Sequence, residues 1–115
     1  MAHSNPADLP PALGARIAER LDRIAARGGA DATDWRQRWT PVLVASEFAW
    51  DAIDRDAGLD AAALDALADD PEPPATRMAT AFDGCVDDAD AMRRLRRFRR
   101  RESLRLVARD VLGLD

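Results

Sequence analysis

The chain has 115 residues and carries 17 arginines, no lysine, 21 acids and one histidine, for a net charge of −4. The single cysteine, Cys85, excludes an internal disulfide and a cysteine-rich metal site, and the single histidine, His3, near the N-terminus, argues against a His-based metal site or a Ser/His/Asp triad. No run approaches the ~20 apolar residues of a membrane span, and no basic, apolar leader opens the chain, so the expectation is a cytoplasmic protein of at most one domain.

Apolar residues make up 47% of the sequence, enough for a core, although alanine supplies much of that figure. The charge is uneven. Residues 1–92 hold eight arginines against eighteen acids, giving −10, while residues 93–115 hold nine against three, giving +6. Opposite blocks within one chain suit internal pairing as readily as an external polyanion.

Residues 1–8 read as a disordered N-terminus, and residues 9–115 as one helical segment. From about Leu9 to Arg27, Leu13, Ile17, Leu21 and Ile24 recur at spacings of four, four and three, the stripe of an amphipathic helix. Arg16, Arg20, Arg23 and Arg27 form a row expected to face solvent, and Gly28-Gly29 ends the helix. Asp34 is placed to cap a second helix bearing Trp35, Arg38 and Trp39, which Pro41 is expected to interrupt or kink before Val42-Leu43-Val44.

Ser46 reads as a further N-cap. It opens a segment with Phe48, Ala49, Ala52 and Ile53 inward, Asp51, Asp54 and Asp56 outward, and Trp50 at the margin. The three tryptophans and Phe48 all fall within residues 35–50, so core packing explains them better than a ligand box. Gly58 starts a turn, and Leu59 to Leu67 reads as a short helix. The acidic, proline-rich run from Asp69 to Pro74 reads as an exposed linker with no fixed metal-binding pattern. Residues 77–90 carry Met78, Ala81, Phe82, Cys85 and Val86 at helical spacing, which predicts a buried thiol at Cys85. No stretch alternates as a strand does, and the predicted fold class is all-α, ending in a long arginine-rich helix.

That last helix carries eight arginines between Met92 and Leu106. At 100° per residue, Ala91, Met92, Leu95, Phe98 and Leu106 share one face. Leu104, Val107, Ala108 and Val111 form a second in the C-terminal half, as in a helix entering protein interior. Glu102 lies on the first face, three residues from both Arg99 and Arg105, and is expected to pair with them along the helix. Val107, Val111 and Leu112 lack an evident cover, which predicts self-association.

A basic helix can follow phosphates. The acidic remainder of the chain and the absence of Asn, Gln and Lys from the stretch argue against nucleic acid. An alternative is a solitary interaction module, or a structural helix pairing with the Asp-rich segments.

A third reading comes from resemblance. The run from Leu95 to Leu106, followed by Ala108-Arg109-Asp110, resembles a signature of the glutamine synthetase adenylyltransferase/adenylyl-removing enzymes. Their helix reads leucine-arginine-x-phenylalanine-arginine-x-arginine before the first nucleotidyltransferase domain. Val42-Leu43-Val44-Ala45-Ser46-Glu47-Phe48 is similar to an upstream Val-Leu-x-x-Ser-(Asp/Glu)-Phe element of the family. The resemblance spans roughly residues 10–114.

The chain departs from the family at Ala108, where tryptophan is usual. It also lacks the following Gly-Gly-x-Glu-Leu-Asn-x-x-Ser-Asp-x-Asp segment, whose aspartates hold Mg²⁺. The resemblance implies the N-terminal helical part of an enzyme that uses ATP to adenylylate glutamine synthetase on tyrosine and removes AMP by phosphorolysis. It implies no catalytic, cofactor or metal residue in this chain, which is expected to be cut before the catalytic domain. ATP and Mg²⁺ belong to the full-length enzyme, and the partners are the downstream catalytic domain and, through it, glutamine synthetase. On this reading Leu95, Phe98 and Leu104 are interface anchors, Arg99, Arg105 and Arg109 orient the helix, and Glu102 is an ion-pair centre. Some of Arg93 to Arg101 are placed near a nucleotide or phosphate entrance.

Overall fold

A computed structural model describes residues 5–28 and 34–114. Those residues form six α-helices and no strand, as the periodicities predict: α1 (Pro11–Ala25), α2 (Asp34–Ala45), α3 (Glu47–Asp54), α4 (Ala61–Asp69), α5 (Pro74–Phe82) and α6 (Asp88–Leu112). None of the described helices is long and apolar enough to cross a membrane.

Residues 1–4 lie outside the described residues, but Pro6–Asp8 form a 3₁₀ turn capped by Asn5. Leu9 follows it into the core, and Gly14 of α1 admits the turn. A Cβ there would stand 2.4 Å from the Pro6 carbonyl oxygen.

The α1 stripe is buried at Ile17, Leu21 and Ile24, and the helix stops where Gly28 takes a positive φ of 95°. Pro41 does not break α2. The helix runs through it to Ala45 with Pro41 itself buried, although the ring supplies no N–H for a helical bond. Burial of Trp35, Trp39, Val42 and Leu43 around it outweighs one missing bond. The Trp39 indole N–H donates to Asp65 of α4 at 3.0 Å.

Ser46 caps α3 as expected, its hydroxyl accepting from the Ala49 amide at 3.0 Å. The inward assignment of Phe48 and the marginal one of Trp50 are corrected. Phe48 is 45% exposed, whereas Trp50 is nearly buried, its ring covered by the guanidinium groups of Arg20 and Arg23 at 5.1 and 5.2 Å. The arginine row of α1 and the turn after it is thus solvent-facing only in part: Arg16 and Arg23 are exposed, Arg20 and Arg27 half-buried. Arg20 pairs with Glu47, Arg23 with Asp54, and Arg27 donates to the carbonyls of Ile53, Asp56 and Leu59 at 2.7, 2.9 and 3.1 Å. The Arg27 contacts supply donors for the open carbonyls at the C-terminal end of α3 and in the turn after it.

Asp60 caps α4, and Pro73 and Pro74 lead directly into α5, so the linker is shorter than the acidic proline run suggests. The helix predicted over 77–90 is split. Helix α5 ends at Phe82, Gly84 turns with φ 71°, and Asp87 caps a new helix by accepting from the Asp90 amide. Cys85 falls in that turn and is exposed, not buried, and Val86 is 81% exposed.

Helix α6 is 25 residues long, about 37 Å at 1.5 Å per residue, in a molecule whose longest dimension is 47 Å. Its C-terminal half enters the core through Leu104 and Ala108, with Val107, Val111 and Leu112 packed against the core beside them. These residues thus have cover within the chain, which removes the reason for expecting self-association through them. The helix closes properly, with Gly113 at φ 67° and the Leu114 amide donating to Arg109. Its N-terminal half pairs with α5, which buries no residue fully. The first apolar face is accordingly not a core stripe: Met92 and Leu106 are 51% and 60% exposed.

Candidate functional site: the arginine helix and its cleft

The turn after α3 carries the one buried acid among the described residues. Asp56, expected to face solvent, is 5% exposed. Two arginines one turn apart on α6 converge on it. Arg101 donates from Nε to Oδ2 at 2.7 Å and from Nη2 to Oδ1 at 3.0 Å; Arg97 adds the same pair of contacts at 3.5 and 3.3 Å. The Gly58 amide donates to Oδ1 at 3.2 Å. Such forked contacts fix direction as well as distance. Gly58 fits because it has no side chain, since a Cβ would stand 2.8 Å from the nearer Arg97 nitrogen and 3.1 Å from that of Arg101.

Burial works against the Asp56 charge, but the hydrogen bonds and charge of Arg101, then of Arg97, outweigh it and hold the carboxyl at about 2.

A second clasp joins α5 to α6. Glu102 does not pair with Arg99 or Arg105. Arg77 reaches across from α5 and takes both its oxygens, Nε to Oε2 at 2.9 Å and Nη2 to Oε1 at 2.6 Å. Arg77, coming from the neighbouring helix, occupies both carboxylate oxygens. Nearer the hairpin tip, Asp90 accepts from Arg94 and from the Val86 amide, and those bonds, the Arg94 one foremost, lower its pKa. Arg94 also donates to the carbonyls of Ala81 and Asp83 at 3.3 and 2.5 Å.

Each residue singled out in the sequence has a definite place. Leu104 lies in the chain's own core, 0% exposed, so it offers no surface to another domain. Leu95 and Phe98 are half-buried. Arg105 donates to the Asp70 carbonyl at 3.0 Å, and Arg109 to the carbonyls of Ala68 and Leu114, both at 2.8 Å, so these two orient α6 against the end of α4. Arg99 makes no hydrogen bond or ion pair with any described residue, and neither do Arg96 and Arg100.

Between α5, the N-terminal half of α6 and the 55–58 turn lies an open cleft of ≈ 1030 Å³. Eight arginines and five acids line it, Phe98 among them, so its surface is cationic despite the acidic chain. Among the described residues, no three His, Cys, Asp or Glu side chains converge as metal ligands.

The sequence reading placed Asp56 outward and Gly58 only at the start of a turn, and it did not single out Arg77. An Asp-x-Gly turn just after a helix was the available signal for the first two. Nothing local marked Arg77, whose partner is 25 residues away. Comparison with protein families, with curated proteins and with solved structures finds no match.

Proposed function

We propose that the chain is the non-catalytic helical support of a bifunctional enzyme of the glutamine synthetase adenylyltransferase/adenylyl-removing kind, regulating nitrogen assimilation by moving AMP onto and off a tyrosine. In that role it carries no reacting group. It holds α6 in a fixed direction so that a following nucleotidyltransferase domain, which binds ATP and Mg²⁺, packs against the half-buried side chains of Leu95 and Phe98.

The observation that supports this reading is the use made of the signature arginines. Arg97 and Arg101 clasp Asp56, and Arg105 and Arg109 bind the carbonyls of Asp70 and Ala68. Four cations that a nucleic-acid reading would point at phosphate are instead engaged within the chain. Such use suits a helix whose orientation is the product.

The test uses a member of that enzyme family from which the corresponding helical segment has been deleted. Adding this chain in trans should restore phosphorolytic AMP release from adenylylated glutamine synthetase, while the chain alone releases none. Failure to bind or restore the deleted enzyme, or AMP release by the chain alone, defeats the proposal.

A second reading, a helical interaction module, is favoured by one observation: Arg96, Arg99 and Arg100 have no partner among the described residues. If nucleic acid is their target, duplex binding should weaken steeply between two salt concentrations.

A further inference from the structure

Helix α6 exposes a continuous stripe on the side away from the core. Met92, Arg96, Arg99, Ser103, Leu106 and Asp110 are all exposed, at spacings of four, three, four, three and four. Those spacings average 3.6 residues, the period of the α-helix itself, so the stripe runs nearly straight along one side of α6. The stretch from Met92 to Leu106 is about 21 Å long. Its ends are apolar, with Met92 51% and Leu106 60% exposed, and its centre is cationic.

The charges in the centre are unusual for this chain. Fourteen of its seventeen arginines have an acidic or carbonyl partner, either by hydrogen bond or, for Arg16, through the charge of Glu47. The three without one among the described residues, Arg96, Arg99 and Arg100, fall within five residues of α6, with the clasped Arg97 between them. Like charges three and four apart destabilise an isolated helix by a few tenths of a kcal/mol per pair, and the acid nearest to them along the helix, Glu102 three residues after Arg99, is held by Arg77. An external anionic group would relieve that repulsion.

We infer that this stripe is a docking seam for an acidic amphipathic helix of a partner protein, with two carboxylates three or four residues apart opposite Arg96 and Arg99 and apolar side chains against Met92 and Leu106. Charge decides the occupant. A second copy docked in parallel sets Arg96 and Arg99 against themselves, and an antiparallel copy centred between them sets each against the other. A nucleic-acid duplex meets the exposed apolar side chains of Met92 and Leu106 along this stripe and faces a chain whose first 92 residues sum to −10. Ser103, small and central, lets a neighbouring backbone come close. Arg96, at the centre of the seam, also lines the cleft beside the Asp56 clasp, and the seam does not depend on the enzymatic reading above.

The test is a titration of the full chain against a fluorescein-labelled helical peptide of about 21 residues. It carries leucines at the ends of one helical stripe and two glutamates at its centre; a second peptide has lysines in place of the glutamates. The chain should bind the glutamate peptide at least tenfold more tightly than the lysine peptide. Arg96→Glu with Arg99→Glu should reverse that preference. Arg96→Gln with Arg99→Gln should abolish it, with a thermal melt like that of the parent, since both side chains are exposed and unpartnered. Met92→Ser with Leu106→Ser should weaken binding of the glutamate peptide severalfold while keeping its charge preference. Equal binding of both peptides, no binding of either at millimolar concentration, or tighter binding of a short DNA duplex that displaces the glutamate peptide would each overturn the inference.

Discussion

Asp56 and Arg101 are 45 residues apart in the chain and 2.7 Å apart in space. The contact fastens the turn after α3 to the middle of α6, and Arg97 reinforces it from one helical turn away at 3.3 Å. Removing one partner of a buried pair costs about 3–5 kcal/mol, and less where the other partner meets solvent. Side-chain exposure is 31% for Arg101 and 56% for Arg97. Asp56→Asn should therefore destabilise the chain by about 2–3 kcal/mol in urea unfolding, and Arg101→Gln should cost more than Arg97→Gln. Equal and negligible effects of all three would mean that the clasp does not hold the fold.

The same carboxylate sets an acid limit. Its pKa falls from the ordinary 3.8 in the unfolded chain to about 2 in the folded one. A depressed acid contributes its stability above the unfolded value and loses it as pH falls toward the folded one. The contribution should be complete above about pH 5 and disappear between about pH 4 and pH 2, amounting to ~1–2 kcal/mol after allowance for the exposed arginines. Glu47, Asp69 and Asp90 are shifted in the same direction, each first by its bonded arginine, so the comparison must be with Asp56→Asn. That variant should show a shallower loss over this interval; parallel curves would rule Asp56 out as the source.

Two glycines should respond differently to alanine. At Gly14 the added methyl would meet a backbone oxygen at 2.4 Å, so the 3₁₀ turn must move and uncover Leu9. The usual gain of about 1 kcal/mol for alanine in a helix should be offset, leaving a net loss of ~1–2 kcal/mol and faster proteolysis near Leu9. At Gly58 the obstacles are the ends of two flexible side chains. Gly58→Ala should cost less, and its cost should largely vanish in an Asp56→Asn background, because both changes act on one clasp.

Helix α5 depends on polar attachment, since none of its residues is fully buried. Glu102→Gln weakens its link through Arg77, whose side chain is 8% exposed. Amide exchange in α5 should accelerate on this change while exchange in α2 and at Leu104 stays slow. Uniform acceleration across all helices would show that α5 belongs to the same cooperative unit as the core.

Cys85 offers a direct check on the hairpin turn. Because it is exposed, a thiol reagent should modify it in the native chain without denaturant, and the thermal melt should change little afterwards. Protection until global unfolding would place the residue in the interior that its apolar spacing first suggested.

The fold class and most of the core were legible because burial leaves a periodic signature. The stripes through Ile17, Leu21 and Ile24 and through Leu104 and Ala108 are examples. Caps were legible where the signal is local, as at Ser46. What escaped was set by partners far along the chain. The Asp-x-Gly turn marks Asp56 as a turn residue, but nothing local says that it is buried where Asp51 and Asp54 are exposed; Arg97 and Arg101 arrive for that from α6. Phe48 and Trp50 exchanged roles because Arg20 and Arg23 supply a lid for one ring and none for the other. Cys85 was misplaced for a different reason: apolar spacing continued through Gly84, but the backbone did not.

Arg27 gives the Asp56 turn a second fastening of a different kind. Its guanidinium holds carbonyl oxygens at Ile53, Asp56 and Leu59, and none of these titrates. Acid can loosen the α6 side of the turn while the α1 side keeps its grip. The chain should then come apart in a fixed sequence, the long helix swinging free at its Arg97 end while the loop it left keeps its native shape, ready to receive it when the proton departs.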